Sequence, residues 1–510
     1  EALCLGTEEG PFRIGGPEGN RDNPSLIEIY ESRLIFAATE NQPGFIWMSH
    51  TGAYTDFTVG SPAEADDAVA FHVWPQKKTH ILWLVADEAL CLGTEEGPFR
   101  IGGPEVVLDA SATPGWWPMA QGGMGGYRMK PLVANDAVLY AQRGGQRLRA
   151  FSWVEASAKY VSTDLNLAAD HILSARILKG STSAAYQKSP DPIVWVIGND
   201  GYLYSLVLSP ITQATGWSRH DLGGMVTSIA ILPTPGGEDR IWITVDRGAH
   251  GTTIEYLTPF YENTLYTDET VEQDAGAPVA VENCGDVDSG GGVMRAYITS
   301  TGHGLSNGDL VRFLDTGISS LDGEVFKVAD SDADHFYLQY PQGMNYVSVG
   351  SSISTTGNAH PVINEITGLP FDDGEEVQVI VDGAYVADET VASGTVSFVY
   401  GRVVSVGRRF TAVLEPLDLQ YQQTRLKRIT KLYARFYESY GLDAGAGPDS
   451  LQRLQFQSGA LMLDEPPDLV SDMIEINYQA GPGRSGRIYM KSDIPLPLTV
   501  VSVLAEYEVH

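Results

Sequence analysis

The sequence predicts an all-β protein: a β-propeller-like body, an inserted small β-barrel and carboxy-terminal β-modules. Three observations lead there. Short runs of β-branched and aromatic residues alternate with turns of Gly, Asn and Asp, the pattern of antiparallel hairpins. These runs recur at a period near 50 residues, the length of a four-stranded propeller blade. The 510 residues include 55 Gly and 28 Pro, enough turn formers for many short strands, and sustained helical periodicity is scarce.

The clearest run is IVWVIGNDGYLYSLVL, residues 193–208. Ile193 to Ile197 form one strand and Tyr202 to Leu208 the return. Gly198, Asn199, Asp200 and Gly201 supply the turn, because Gly and Asn tolerate the positive φ that a tight hairpin needs. Four other hairpins repeat this design. Arg33 to Ala38 pairs with Phe45 to Ser49, and Ile81 to Val85 with Glu88 to Gly93. Ala137 to Ala141 pairs with Arg147 to Val154, and Arg240 to Val245 with Thr252 to Leu257. Taking Ile35, Trp83, Leu139, Trp195 and Trp242 as equivalent, the spacings are 48, 56, 56 and 47 residues. The propeller-like domain is assigned to 19–260, and five blades imply a small ring or further blades upstream.

Residues 1–18 repeat letter for letter at 88–105, an offset of 87. Natural structural repeats keep pattern and lose identity. The first copy is therefore expected to be a duplicated segment, not a genuine element at its position. The chain begins at Glu1 and not Met, so an upstream portion is also expected.

Beyond the blades, 261–292 is polar and acidic and reads as a linker. Residues 293–347 alternate short strands with Gly and Asn-Gly turns, a small β-barrel. Residues 348–415 form a second small β-module around QVIVDGAYV. Residues 416–510 form a carboxy-terminal β platform. In it, Thr430, Leu432, Ala434 and Phe436 are expected on one face of a strand, with Lys431, Tyr433, Arg435 and Tyr437 on the other.

With 33 basic and 65 acidic residues the formal net charge is −32. Such a chain is unsuited to gripping a phosphate backbone, which needs clustered Lys and Arg. It suits solubility, or a passage that a polyanion slides through without sticking. Cys4, Cys91 and Cys284 form no even framework and no CxxC pair, against a disulfide scaffold or zinc ribbon. No apolar run approaches the roughly 20 residues of a membrane span.

Candidate sites are few. Asp330, Asp332 and Asp334 start like a calcium loop, but His335 stands where Gly is needed and Pro341 where a bidentate Glu is needed. Gly122 to Gly126 lacks the strand-then-helix context of a phosphate loop and reads as a flexible blade loop. His303 has no partner ligand at metal spacing and reads as a turn histidine. No serine elbow, zinc-protease motif or sialidase-type repeat occurs, so no catalytic, cofactor or metal residue is assigned and the chain is read as a non-enzyme. The most basic window, Arg425, Lys427, Arg428, Lys431 and Arg435, is the candidate partner-docking surface.

Several segments resemble the large structural tail proteins of short-tailed bacteriophages, the tail nozzle or tail tubular protein B type. The likeness is carried by ESRLIFAATENQPGFIWMSHTGAYTDF (31–57), ADDAVAFHV, THILWLVADEALCLGTEEGPFRI, GWSRHDLGGMVTSIAILPTPGGEDRIWITVDR (216–247) and DIPLPLTVVSVLAEYEV. The 293–347 module resembles the FCCH β-domain, with its TxxHGLxxGDxVxF motif at Thr301 to Phe313. The resemblance spans most of 25–510, without the amino-terminal portion such proteins usually carry. It implies a homohexameric ring in the virion tail, assembled in the bacterial cytoplasm, through which DNA passes without specific binding. It further implies docking of tail adaptor and tail fibre proteins and no cofactor. The competing class is a propeller-type protein that binds or degrades host-surface glycans. A glycosidase would need two convergent carboxylates about 5 to 10 Å apart, and a binder would use Trp-lined blade loops such as Trp116 and Trp117.

Overall fold

The computed structural model describes residues 4–7, 10–13, 23–74, 79–103, 108–111, 116–167, 169, 172, 184–208, 215–258, 266–288, 292–343, 345–350, 353–354, 357–417, 425–455, 469–478, 481–483 and 486–509. The fold is all-β, built from many small antiparallel sheets. The chain divides into two compact units, 1–259 and 260–510.

Among the described residues, the first unit holds five successive meanders. Four are four-stranded sheets: Leu26–Tyr30 to Val69–His72, Ile81–Ala86 to Met119–Ala120, Leu132–Ala134 to Lys159–Asp164, and Ala184–Gln187 to Thr215–His220. The fifth has three strands, Met225–Pro233, Asp239–Asp246 and Thr252–Leu257. This is the expected propeller-like body, blade following blade.

Packing between sheets explains why the strands read as continuous apolar runs. Ile193–Ile197 is buried at every position. Its alternate residues serve two different cores: Val194 and Val196 pack toward the third sheet with Leu139 and Leu148, while Ile193, Trp195 and Ile197 pack toward the fifth with Ile241 and Ile243. A strand sandwiched between two sheets needs apolar side chains in both phases. The same back-to-back arrangement joins the first sheet to the second, through Ile35, Ile46, Leu92 and Phe99. It joins the second to the third through Trp83, Cys91, Tyr140 and Phe151.

One assumed equivalence shifts. Trp83 lies on the first strand of its sheet, whereas Ile35, Leu139, Trp195 and Trp242 lie on second strands. The second-strand position of that blade belongs to Leu90–Thr94. The hairpin run there began one strand earlier in the blade than in the others.

The duplicated letters fold alike in both places. Leu90–Thr94 pairs with Pro98–Ile101 with Cys91 opposite Arg100, and Cys4–Thr7 pairs with Gly10–Arg13 with Cys4 opposite Arg13. Hairpin register is thus local. What differs is context: the second copy is an inner pair of a four-stranded sheet, and the first copy forms a sheet of two.

The second unit corrects three boundaries. The stretch expected as a linker, 261–292, contains the paired strands Asp268–Asp274, Val279–Ala280 and Asn283–Asp288. Residues 261–265 and 289–291 lie outside the described residues. The main chain satisfies the ladder whatever the side chains, and the acidic ones find partners, Glu269 with Arg408 and Asp286 with Ser348, so polarity alone did not mark a loop. The small barrel is correspondingly larger than 293–347. Its sheet runs from Val279–Ala280 through Asn358–Thr367 to Ile353–Ser354, and its core takes Cys284 and Ala359 along with Ile298, Phe313, Phe336 and Leu338. The next module, expected over 348–415, has its own core around Val379, Val404 and Val406, but Ala412–Leu414 pairs with Tyr489–Ser492 of the carboxy-terminal part.

The platform strand Lys427–Tyr437 pairs with Thr499–Val509 and Met473–Ile476. A register shift between Ile429 and Lys431 changes its phase. Ile429, Leu432, Ala434 and Phe436 are buried, and Thr430, expected on the same face as Leu432, is exposed beside Lys431. An extra residue in one strand re-aims every side chain on its far side.

Candidate functional site

The basic window lies on this strand, and the bulge divides it. Arg425, Arg428, Lys431 and Arg435 are exposed. Lys427, expected with them, is 1% exposed, and its main chain exchanges two hydrogen bonds with Gly483 at 2.7 and 2.8 Å. It shares the inward phase of Ile429, so it is removed from the docking surface. Arg428 stands opposite Glu508 and Lys431 opposite Glu506, with Glu475 opposite Tyr433. The Tyr433 hydroxyl, then Glu506 and Glu475, hold the Lys431 ammonium above its ordinary value. The outward face therefore alternates sign, and no concentrated positive field results.

Buried charge elsewhere sharpens the acidic character of the surface. Among the described residues, the buried ionised side chains are Arg33, Arg149, Arg247 and Lys427 against Asp67 and Glu269. Arg33 donates to the carbonyls of Ser49, Ala65 and Asp67 at 2.6 to 2.9 Å and ties down the 49–67 loop. Arg247 meets the Glu255 carboxylate through Nε and Nη2, each at 2.9 Å. Among the described residues, burial therefore takes more bases than acids from the surface.

The fourth sheet contains a Ser–His pair that the sequence did not single out. Ser205 Oγ lies 2.8 Å from His220 Nε2, and the Trp195 ring packs against the imidazole at 5.3 Å. Trp195 Nε1 donates to Gln187 Oε1 at 3.1 Å. Burial pushes the His220 pKa down to about 4, so the ring is neutral at pH 7. Ser205 is 6% exposed on a sheet-to-sheet face. A nucleophile needs access to its substrate, so the pair acts as a satisfied polar contact in the core.

The remaining candidates resolve into turns and packing. Asp332 accepts from the main-chain N–H groups of Asp334 and His335 at 2.9 and 2.8 Å, which hold its carboxyl below the usual range. Asp330 accepts from the Tyr346 hydroxyl at 2.7 Å. His303 accepts from the Leu305 N–H at its Nδ1, 2.9 Å away, which leaves the proton on Nε2 facing the His335 carbonyl. Of Gly122 to Gly126, expected as a flexible loop, Gly122, Gly123 and Met124 are exposed while Gly125 and Gly126 are buried: Gly126 N–H donates to the Thr94 carbonyl at 2.8 Å, and a Cβ there would sit 2.7 Å from Trp83 Nε1. Trp116 is buried, and Trp117, 40% exposed, stacks on it at 5.2 Å and 12°.

No protein-family model and no curated protein matches the chain. Among solved structures, it is similar to the N-terminal domain of Nup159, at 7% identity over 75% of this chain and 88% of that one, with a TM-score of 0.25. A protein from Lactobacillus plantarum matches at 13% identity over 74% of this chain and 99% of that one, with a TM-score of 0.25. An exo-beta-1,3-galactanase from Phanerochaete chrysosporium matches at 7% identity over 100% of this chain and 99% of that one, with a TM-score of 0.21. At such scores the fold rests on the sheet topology itself.

Proposed function

We propose that this chain is a structural wall component of a bacteriophage short tail, a nozzle-type protein whose copies form a ring for genome passage. The observation that carries the reading is the charge and its distribution. The chain has 65 acidic and 33 basic residues, and its fold buries bases in preference to acids. A negative wall repels DNA phosphates and keeps a passing genome from adsorbing, whereas a DNA-gripping protein presents the opposite sign. The order of modules agrees: a propeller-like body, then a small barrel with the Thr301 to Phe313 motif, then β-modules ending in a three-stranded platform. No catalytic step belongs to the reading. In it, the exposed Arg425, Arg428, Lys431 and Arg435 contribute to docking of adaptor or fibre proteins as members of a mixed-charge face, where charge sets partner choice more than affinity.

Electron microscopy of the purified protein tests this: a closed ring, six subunits around an axial hole with an acidic lumen, is expected. A monomer, or a lumen lined by Lys and Arg, overturns it.

A second reading, glycan binding, has one observation in its favour. Trp117 presents an exposed indole held rigid by Trp116, and a fixed aromatic plane is a ready platform for a sugar ring. Saturable binding on a glycan array that is lost in Trp117→Ala supports this reading. Signal unchanged by the substitution removes it.

A further inference from the structure

The letters of residues 1–18 recur at 88–105, and the second occurrence fills a place in the core. Leu90–Thr94 and Pro98–Ile101 sit between Ile81–Ala86 and Met119–Ala120. Leu90, Cys91, Leu92 and Ile101 are fully buried. Leu92 and Phe99 pack toward the first sheet with Ile35, and Cys91 packs toward the third with Tyr140. The place is closely specified: Gly93 lies against the Trp83 indole, where a Cβ would come within 2.0 Å of the ring.

The first occurrence meets each of these requirements, because its letters are the same. Leu5, Gly6 and Phe12 correspond to Leu92, Gly93 and Phe99, and the pairing matches residue for residue. Leu5 stands opposite Phe12 as Leu92 stands opposite Phe99, and Gly6 opposite Pro11 as Gly93 opposite Pro98. Among the described residues this hairpin is a sheet of two, and a lone hairpin is marginal in water. One slot thus has two equally suited claimants.

The chain path allows an exchange. Both ends of the slot lie beside the end of the first strand: the Tyr30 hydroxyl donates to the Glu88 carbonyl at 3.3 Å, and the Leu108 N–H donates to the Glu31 carboxylate at 2.8 Å. The resident copy is therefore free to leave as a closed loop, with no threading. The incoming copy is tethered by residues 19–25, which reach roughly 23 Å when extended. Strand Leu26–Tyr30 separates the far end of that tether from the slot, a length of about 17 Å. Closing the loop costs entropy that grows only slowly with its length, so the margin favouring the observed arrangement is small.

We infer that residues 1–18 are a spare copy of the second sheet's inner hairpin, able to take the place of 88–105 within the same chain. The fold then has two arrangements that present the same side chains to the same cores and differ in which segment is left outside. A lesion in either copy selects the other, since the equilibrium moves to whichever arrangement it leaves intact. The exchange rests on the second sheet alone and stands or falls independently of the conduit reading.

Leu92→Asp in the full chain tests it, because an unpaired carboxylate is not tolerated in that core. The variant is expected to keep the circular dichroism of wild type and to reverse the labelling of two cysteines by maleimide. In wild type Cys91 is buried and stays unmodified, and Cys4 is the expected site of labelling. In Leu92→Asp, Cys91 labels and Cys4 becomes protected, with buried Cys284 as the internal reference. Adding Leu5→Asp removes the spare, so the double variant should melt well below Leu92→Asp and lose more than the two single variants' losses together. Leu92→Ser and Leu5→Ser repeat the cycle with milder changes. Sedimentation of Leu92→Asp should match wild type at every concentration. A Leu92→Asp chain that is unfolded or keeps Cys91 protected, a wild type with Cys4 already protected, additive losses, or a reversal confined to newly formed dimers each overturns the inference.

Discussion

Acid should weaken the first unit through His220. The imidazole is covered by the Trp195 ring and hydrogen-bonded to Ser205 at 2.8 Å, and its pKa falls from 6.5 to about 4 by burial. The folded state therefore keeps the ring neutral while the unfolded chain protonates it near 6.5. Between those values the unfolded state binds more protons, so stability is full above pH 6.5 and drains away as pH falls toward 4. A fall from 6.5 to about 4 is worth about 3.5 kcal/mol, of which about 2 to 3 kcal/mol should be gone by pH 4.5. All 9 tryptophans precede residue 259, so their fluorescence reports the first unit without contribution from the second. Urea unfolding followed at 350 nm-range emission, at pH 7.0, 5.5 and 4.5 (about one step per pK unit), should show the loss in wild type. It should be smaller by the same amount in His220→Gln, which keeps a partner for Ser205 and cannot titrate. Parallel loss in the two proteins would refute a buried neutral histidine.

The other expectations are as direct. Gly93→Ala should cost about 1 to 3 kcal/mol or more by overpacking, because the new Cβ would lie 2.0 Å from Trp83 Cε2. Thermal melts of the variant that match wild type would contradict the close packing of Gly93 on the indole. Glu255→Ala removes the carboxylate that meets the buried Arg247 guanidinium at 2.9 Å, leaving the Leu222 carbonyl on Nη1, and should cost about 3 to 5 kcal/mol by denaturant titration. Replacing both with Met and Leu should recover most of that loss. Cys91 and Cys284 are buried and their thiols are pushed up to about 12. Peptide mapping after maleimide treatment at pH 8 should find both unmodified in the folded protein and labelled in urea. Rapid labelling of either would refute its burial.

Much of the fold was legible because hairpins are local. The apolar runs, their Gly and Asn turns and the register of EALCLGTEEGPFRI follow from neighbours in sequence, and identical letters gave one register at both sites. The candidate site was less legible. Lys427 and Arg428 are adjacent cations in the sequence, yet one is inside and the other outside, and the single-residue bulge at Ile429–Lys431 that sets the following side chains leaves no clear sequence signal. The Ser205–His220 pair was equally hidden, since its members are 15 residues apart and meet only across a strand pair.

By itself, then, the sequence determined the all-β class, the blade-sized repetition and the excess of acid, all properties of local pattern or of composition. Only the tertiary structure decided which strands join which sheet, why acidic segments in 261–292 are strands, and that bases are buried in preference to acids. Those outcomes depend on pairing between distant segments, where backbone hydrogen bonds are indifferent to side-chain identity and burial is fixed by whatever packs on the other side.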